Sequence, residues 1–262
     1  MKPVAAWILF AGTALAQTGF LDRSITVGRE VFRYQVYVPA EHSSASLWPV
    51  IVYLHGNGAQ GRDGLRQTKS ALADAIRQNR TLFPGVVVFP QAQPGTRWHV
   101  PEMEELVMAE LERTIGDFHG DRSRVYLTGF SMGGSGAYRI ACRWPHRFAA
   151  LVAVAGRVEP GSNYTVDEVA IDRRTNSFVN APNPFAALAL GIKEIPVRIF
   201  HGAKDETVSV EQSRRLAQAL KDVGANVSYT EYPDANHVEA AVEAFADTEL
   251  IVWVFRQSRP AR

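Results

Sequence analysis

The stretch Val125-Tyr-Leu-Thr-Gly-Phe-Ser-Met-Gly-Gly-Ser-Gly-Ala-Tyr138 decides how the rest of the chain is read. Its first part, residues 125–128, is β-branched and aromatic and predicts a buried strand. Its far end runs into Ala137, Ile140, Ala141 and Trp144, which recur at helical spacing. Between the two lies Gly129-Phe130-Ser131-Met132-Gly133, a G-x-S-x-G turn. A serine on a sharp strand-to-helix turn sits in strained backbone with its hydroxyl held above the sheet, the arrangement called a nucleophile elbow. Glycines two before and two after it let strand and helix approach closely. The amide of Met132 then points to where an oxyanion would form. The competing reading is a glycine-rich turn with an incidental serine. Partners elsewhere in the chain separate the two.

The chain has 262 residues, 46% hydrophobic and 21% charged, the balance of a soluble globular protein able to bury a large core in one or two domains. Its formal charge is +1, and it has no long run of one sign. Arg173-Arg174 and Arg214-Arg215 read as solvated surface, not as a nucleic-acid footprint. Met-Lys-Pro, an apolar run from Val4 to Leu15 and the site Ala14-Leu15-Ala16 read as a secretory signal peptide cleaved after Ala16. That run is shorter than the ~20 residues a membrane span needs. A secreted or periplasmic product, with no stable membrane insertion once the leader is removed, is expected. Cys142 is the sole cysteine, so no internal disulfide forms, and its place after the elbow suits a buried apolar thiol.

From 31 to 38 the residues alternate as in a half-buried antiparallel strand. Residues 49–54, 86–89, 149–155, 196–200 and 226–232 read as further strands, and 65–80, 102–118, 210–223 and 238–256 as helices. Strands alternating with helices predict an α/β protein, a mostly parallel sheet with helices on both faces, in one domain over residues 17–262. Residues 157–194, broken by Gly161, Asn163, Asn176, Pro182 and Pro184, form either a binding loop or small lid, which we favour, or a surface excursion.

A nucleophilic serine needs a base, and the base an orienting acid, in the chain order serine, acid, histidine. Of His146, His201 and His237, the last stands in the loop Pro233-Asp-Ala-Asn-His237 after the final strand, where it can swing over the elbow. Asp205, in the loop after the preceding strand, is the expected acid, with Glu206 and Asp234 as alternatives. His55-Gly-Asn-Gly58 follows an early buried strand and offers the second oxyanion amide, from Asn57 or Gly58, beside Met132. His55 precedes the serine and reads as structural. Trp98 is a candidate wall of a substrate cleft, or a core tryptophan. No phosphate-loop, dinucleotide or zinc motif is present, so no metal or cofactor is expected.

With these residues in place the chain resembles the α/β-hydrolases. It is most similar to the bacterial phospholipase/carboxylesterase group, including secreted esterases once labelled "predicted peptidases" and enzymes like feruloyl esterases and polyester depolymerases. The likeness runs from about Val31 to Gln257. It is carried by Leu54 to Asp63, Pro90-Gln91 with Trp98, Tyr126 to Gly136, Phe200 to Asp205 and Tyr229 to His237. It implies hydrolysis of small-molecule carboxylic esters through Ser131, His237 and Asp205 without metal or organic cofactor. One departure is Val238-Glu-Ala-Ala-Val242, where that group often has an aromatic residue soon after the histidine. A serine peptidase of the prolyl-oligopeptidase type shares triad and fold. No propeller precedes this domain in the sequence, which favours the ester reading. A non-catalytic binding protein on the same fold is disfavoured because all three triad members are present.

Overall fold

Side chains alternate across a strand, so a strand covered on both faces must be apolar at every position. Residues 50–54 meet that demand. Val50, Val52 and Leu54 enter one core while Ile51 and Tyr53 enter the other, all nearly inaccessible to solvent. The computed structural model describes residues 17–161 and 164–260. The expected signal peptide, residues 1–16, lies outside the described residues.

The strands are β1 (Gly19–Val27), β2 (Glu30–Val38), β3 (Trp48–Leu54), β4 (Val86–Phe89), β5 (Gly120–Phe130), β6 (Ala150–Val154), β7 (Val197–Gly202) and β8 (Val227–Tyr232). They form one sheet in the order β1-β2-β4-β3-β5-β6-β7-β8. β1–β2 and β2–β4 pair antiparallel, and every other neighbour pairs parallel. The helices are α1 (Ala71–Gln78), α2 (Pro101–Asp117), α3 (Met132–Arg143), α4 (Val166–Thr175), α5 (Pro184–Ile192), α6 (Glu211–Asp222), α7 (His237–Ala246) and α8 (Thr248–Arg256). α2, α3, α5 and α6 cover one face, and α1, α7 and α8 the other. This is the α/β-hydrolase fold. The parallel strands all end at one edge, where β3, β5, β7 and β8 deliver the loops that matter below.

Three local expectations change. β1 was not anticipated. It is an edge strand of mixed burial, joined to β2 by Gly28-Arg29 with Gly28 at φ 62°. The helix expected over 65–80 shrinks to α1, because Ser70 is extended (φ −142°, ψ 156°) and leaves residues 66–68 as a separate turn. The closing helix divides at Asp247, whose carboxylate accepts Glu249 N–H and starts α8 afresh.

Within residues 157–194 the chain forms α4, a turn over Ser177–Asn180 and α5. Its root is pinned by a fully buried ion pair. The Arg139 guanidinium of α3 donates to both carboxylate oxygens of Asp172 on α4, at 2.8 and 2.5 Å. Arg139 also donates to the carbonyls of Ser135, Arg157 and Val158, and Asn176 donates to Asp172. This segment is therefore locked to the helix that the elbow opens.

Candidate active site

β5 hands the chain to α3 through Ser131, which has φ 58° and ψ −116°. Few non-glycine residues occupy that region, and strain of this kind gathers at functional sites. The turn closes only because its flanks lack side chains. A Cβ on Gly129 would collide with Gly133 O, and one on Gly133 with Leu54 O. Ser131 N–H donates to Val154 O at 2.9 Å, tying the elbow to β6. Met132 is the first residue of α3, where backbone N–H groups have no partner within the helix and the helix dipole favours negative charge.

His237 stands at the opposite side of the elbow, as the first residue of α7. Asn236 caps that helix: its side chain accepts the N–H groups of Val238 and Glu239, and Glu239 reaches back to Asn236 N–H. The capping box holds the imidazole over the serine. His237 Nε2 lies 2.8 Å from Ser131 Oγ, and Nδ1 lies 2.6 Å from Asp205 Oδ2. A carboxylate only accepts, so Nδ1 carries the proton, and the Nε2 lone pair faces the hydroxyl. The ring packs against Phe130, centroids 4.9 Å apart, and its side chain is 14% exposed.

The Asp205 side chain is 0% exposed. Burial alone would push its carboxyl up. Donors from His201, His237 and Val208 N–H overcome that and hold it well below the usual carboxylate range. Oδ1 accepts from Thr207 N–H and Val208 N–H, each at 2.8 Å. Oδ2 receives His237, and His201 Nε2 stands 3.1 Å away.

The loop after β3 is held by His55. Its Nδ1 donates to Gly56 O at 2.7 Å, and its Nε2 accepts Ala92 N–H at 3.0 Å. Burial pushes this imidazole down to about 4, so it stays neutral, in the structural role expected of it. Gln91 steadies the same loop through Gly64 N–H and Asp63. Asn57, Ser131 and Met132 share a cavity of about 150 Å³, with Arg97, Arg157, Tyr164 and Val208 also on its wall. Gly58 instead lines a neighbouring groove of about 550 Å³ with Phe130, Val238 and Val242.

Ser131, His237 and Asp205 are therefore brought together, with Met132 and Asn57 beside them. Glu206 and Asp234 are exposed, and Asp234 pairs with Lys204 at 2.7 Å. His146 is exposed. Trp98 does not wall the cleft. It is 0% exposed, packs over Gly136 and donates its indole N–H to His55 O at 3.0 Å, so it belongs to the core beneath the loop after β3. Sequence reasoning missed the Arg139–Asp172 pair and the residues behind Asp205. The histidine in His201-Gly202 was visible, but its neighbour Ser213 lies twelve positions on and carries no motif. Among the described residues no three His, Cys, Asp or Glu side chains cluster to hold a metal ion, and no helix is long and apolar enough to cross a membrane.

Residues 98–255 match the prolyl oligopeptidase family. An uncharacterized secreted protein of Arthroderma benhamiae is 27% identical over 201 residues, 72% of this chain and 21% of that protein. Acetylxylan esterase A of Emericella nidulans is 26% identical over 214 residues, 73% of this chain and 65% of the esterase. The chain thus spans between about a fifth and two thirds of the length of these relatives. The crystal structure of a thermostable esterase superposes with a TM-score of 0.74 at 26% identity, covering 92% of this chain and 63% of that one.

Proposed function

The chain belongs to the prolyl oligopeptidase family, and from that premise we propose that it is a serine hydrolase cleaving carboxylic esters through an acyl-enzyme on Ser131. The observation that carries this reading is the continuous line from Ser131 Oγ through His237 to Asp205, at 2.8 and 2.6 Å, on a strained elbow.

The mechanism follows from that line. Ser131 Oγ attacks the ester carbonyl carbon while its proton passes to His237 Nε2. Asp205, already anionic, keeps Nδ1 protonated and stabilises the imidazolium. The tetrahedral oxyanion is received by the backbone N–H groups of Met132 and Asn57, each such donor being worth about 3–4 kcal/mol in comparable sites. Collapse breaks the carbon–oxygen bond to the alcohol, and the proton returns from Nε2 to the departing alkoxide. Water, deprotonated by His237, then attacks the acyl-enzyme and frees the acid and Ser131 Oγ–H.

The leaving oxygen must take its proton from His237, so the alcohol lies towards the groove lined by Val238 and Val242 of α7. The acyl group then fills the smaller cavity beside Met132. About 150 Å³ is room for a short acyl chain, since a water molecule takes roughly 30 Å³ of liquid. Short acyl groups on bulky alcohols are thus the expected substrates, in keeping with the acetylxylan esterase relative. Export through a leader ending at Ala16 accords with the secreted relative.

Turnover of 4-nitrophenyl acetate, butyrate and octanoate, compared with a prolyl 4-nitroanilide, tests the reading alongside fluorophosphonate labelling. Acetate and butyrate should lead, with Ser131 as the labelled residue. A nitroanilide cleaved faster than any ester would turn the assignment to a peptidase.

A further inference from the structure

Behind Asp205 the hydrogen bonds do not stop. His201, at the end of β7, is fully buried. Its Nε2 faces Val208 O at 2.9 Å and Asp205 Oδ2 at 3.1 Å, and both partners accept only. That nitrogen therefore carries the proton. Its Nδ1 lies 2.7 Å from Ser213 Oγ on α6, so the serine hydroxyl donates to it. Ser213 is itself fully buried. The result is one directed chain, from the Ser213 hydroxyl to His201, from His201 to Asp205 Oδ2, and onto that same oxygen from His237.

We propose that His201 is a positioning residue of the active site, oriented by Ser213, which fixes the Asp205 carboxylate and shares the negative charge that His237 would otherwise feel alone. The inference rests on the ester-hydrolase reading of Ser131, His237 and Asp205. The geometry supports it in two ways. First, the donors at Oδ1 come from the backbone of Asp205's own loop, whereas His201 anchors Oδ2 to the sheet. Without His201, the oxygen that orients the base is held only by the base. Second, a second donor on Oδ2 draws charge from the bond to His237. Removing it strengthens the hold on the imidazolium, the form that cannot accept the proton of Ser131.

The surrounding charges are accounted for. Glu231 of β8 stands opposite His201 in the strand register and is bound by Arg214 of α6 and by the Tyr229 hydroxyl. Lys204 is paired with Asp234. Arg157 donates to Thr207 O at the rim of the loop. The Tyr138 phenol of α3 faces Ser213, and burial pushes it up, so it stays protonated. His201, backed by Ser213, is therefore the group that reaches Asp205 from behind.

The experiment measures kcat, KM and the pH profile of 4-nitrophenyl acetate hydrolysis, each normalised to sites titrated by a fluorophosphonate. In His201→Leu, kcat per titrated site should fall about tenfold with KM nearly unchanged. The midpoint of the acid limb of kcat/KM should rise by roughly half a pH unit. His201→Gln, which restores an N–H near Nε2, should bring the midpoint back towards wild type. Ser213→Ala should shift it in the same direction by less, and it decides the matter if His201→Leu does not accumulate. A purely structural His201 lowers the titrated fraction but leaves the per-site rate and the midpoint at wild-type values, and that result would overturn the proposal. Failure of the wild-type protein to label or turn over would instead strike the ester-hydrolase reading itself.

Discussion

Asp205 and Glu110 are both carboxylates without solvent exposure, yet the protein treats them in opposite ways. Asp205 is met by two imidazoles and two backbone amides. Glu110, on α2, has no hydrogen-bond partner among the described residues at either carboxyl oxygen. Burial pushes both carboxyls up. At Asp205 the donors reverse the direction, while at Glu110 nothing opposes it and the acid is held well above its ordinary range. One is an anion which, in the proposed mechanism, waits for the imidazolium of His237. The other has no donor to hold its charge, so its burial favours the protonated form. A buried carboxylate therefore marks a working site by the donors built round it and not by its burial.

The comparison breaks most visibly at Asp205. Asp205→Asn preserves shape but removes the charge and favours the wrong tautomer of His237, so kcat should fall by about four orders of magnitude. Ser131→Ala sets the floor, at about a 10⁶-fold loss. Thermal melting of Asp205→Asn beside its steady-state kinetics checks that the loss is chemical. Wild-type turnover would return the acid's role to Glu206 or Asp234. Because its donors keep Asp205 ionised well below the usual carboxylate range, the acid limb of kcat/KM should show a single ionisation and no second one from the aspartate.

A third buried carboxylate sharpens the contrast. Asp172 is held low by Arg139 against the effect of burial, as one half of an ion pair. Asp172→Ala leaves the guanidinium buried and uncompensated, which should cost about 3–5 kcal/mol. Urea unfolding would measure it, and limited proteolysis would show new cleavage between residues 157 and 183. A loss below ~1 kcal/mol would mean that the pair does not anchor α4.

The smallest expected effect is at Glu110. A carboxyl whose folded pKa is raised binds a proton that the unfolded chain has released. Its stability contribution is complete below the unfolded value and declines as pH rises towards the folded one. Glu110→Gln is free of that decline. The stability of the variant relative to wild type should grow with pH above ~5, by up to about 1.4 kcal/mol per unit. Melting curves from pH 5 to 8 that stay parallel would show that Glu110 has a partner.

The difference between these sites also explains what could be read in advance. Ser131, Asp205 and His237 sit in short motifs at the ends of strands, where local chemistry and chain order specify one another. The loop after β3 was legible from His55-Gly-Asn-Gly58, while the cavity that Asn57 shares with Ser131 and the groove that Gly58 lines were not. Trp98 was not legible, because its burial depends on a glycine of α3 thirty-eight positions away allowing it close. Arg139 and Asp172 are separated by 33 positions on helices that neither residue signals, so only packing joins them. β1 escaped notice because an edge strand need not be apolar on both faces, and its mixed burial blurs the period.

The φ of 58° at Ser131 has a further consequence, for how such a chain evolves. Glycine accepts that angle freely, whereas serine bears a strain on the order of 1–3 kcal/mol. A lineage released from the proposed chemistry would drift towards glycine at 131, gaining robustness while losing the proposed nucleophile. One that retains serine carries a standing handicap in stability, and that handicap narrows the range of destabilising substitutions it tolerates elsewhere.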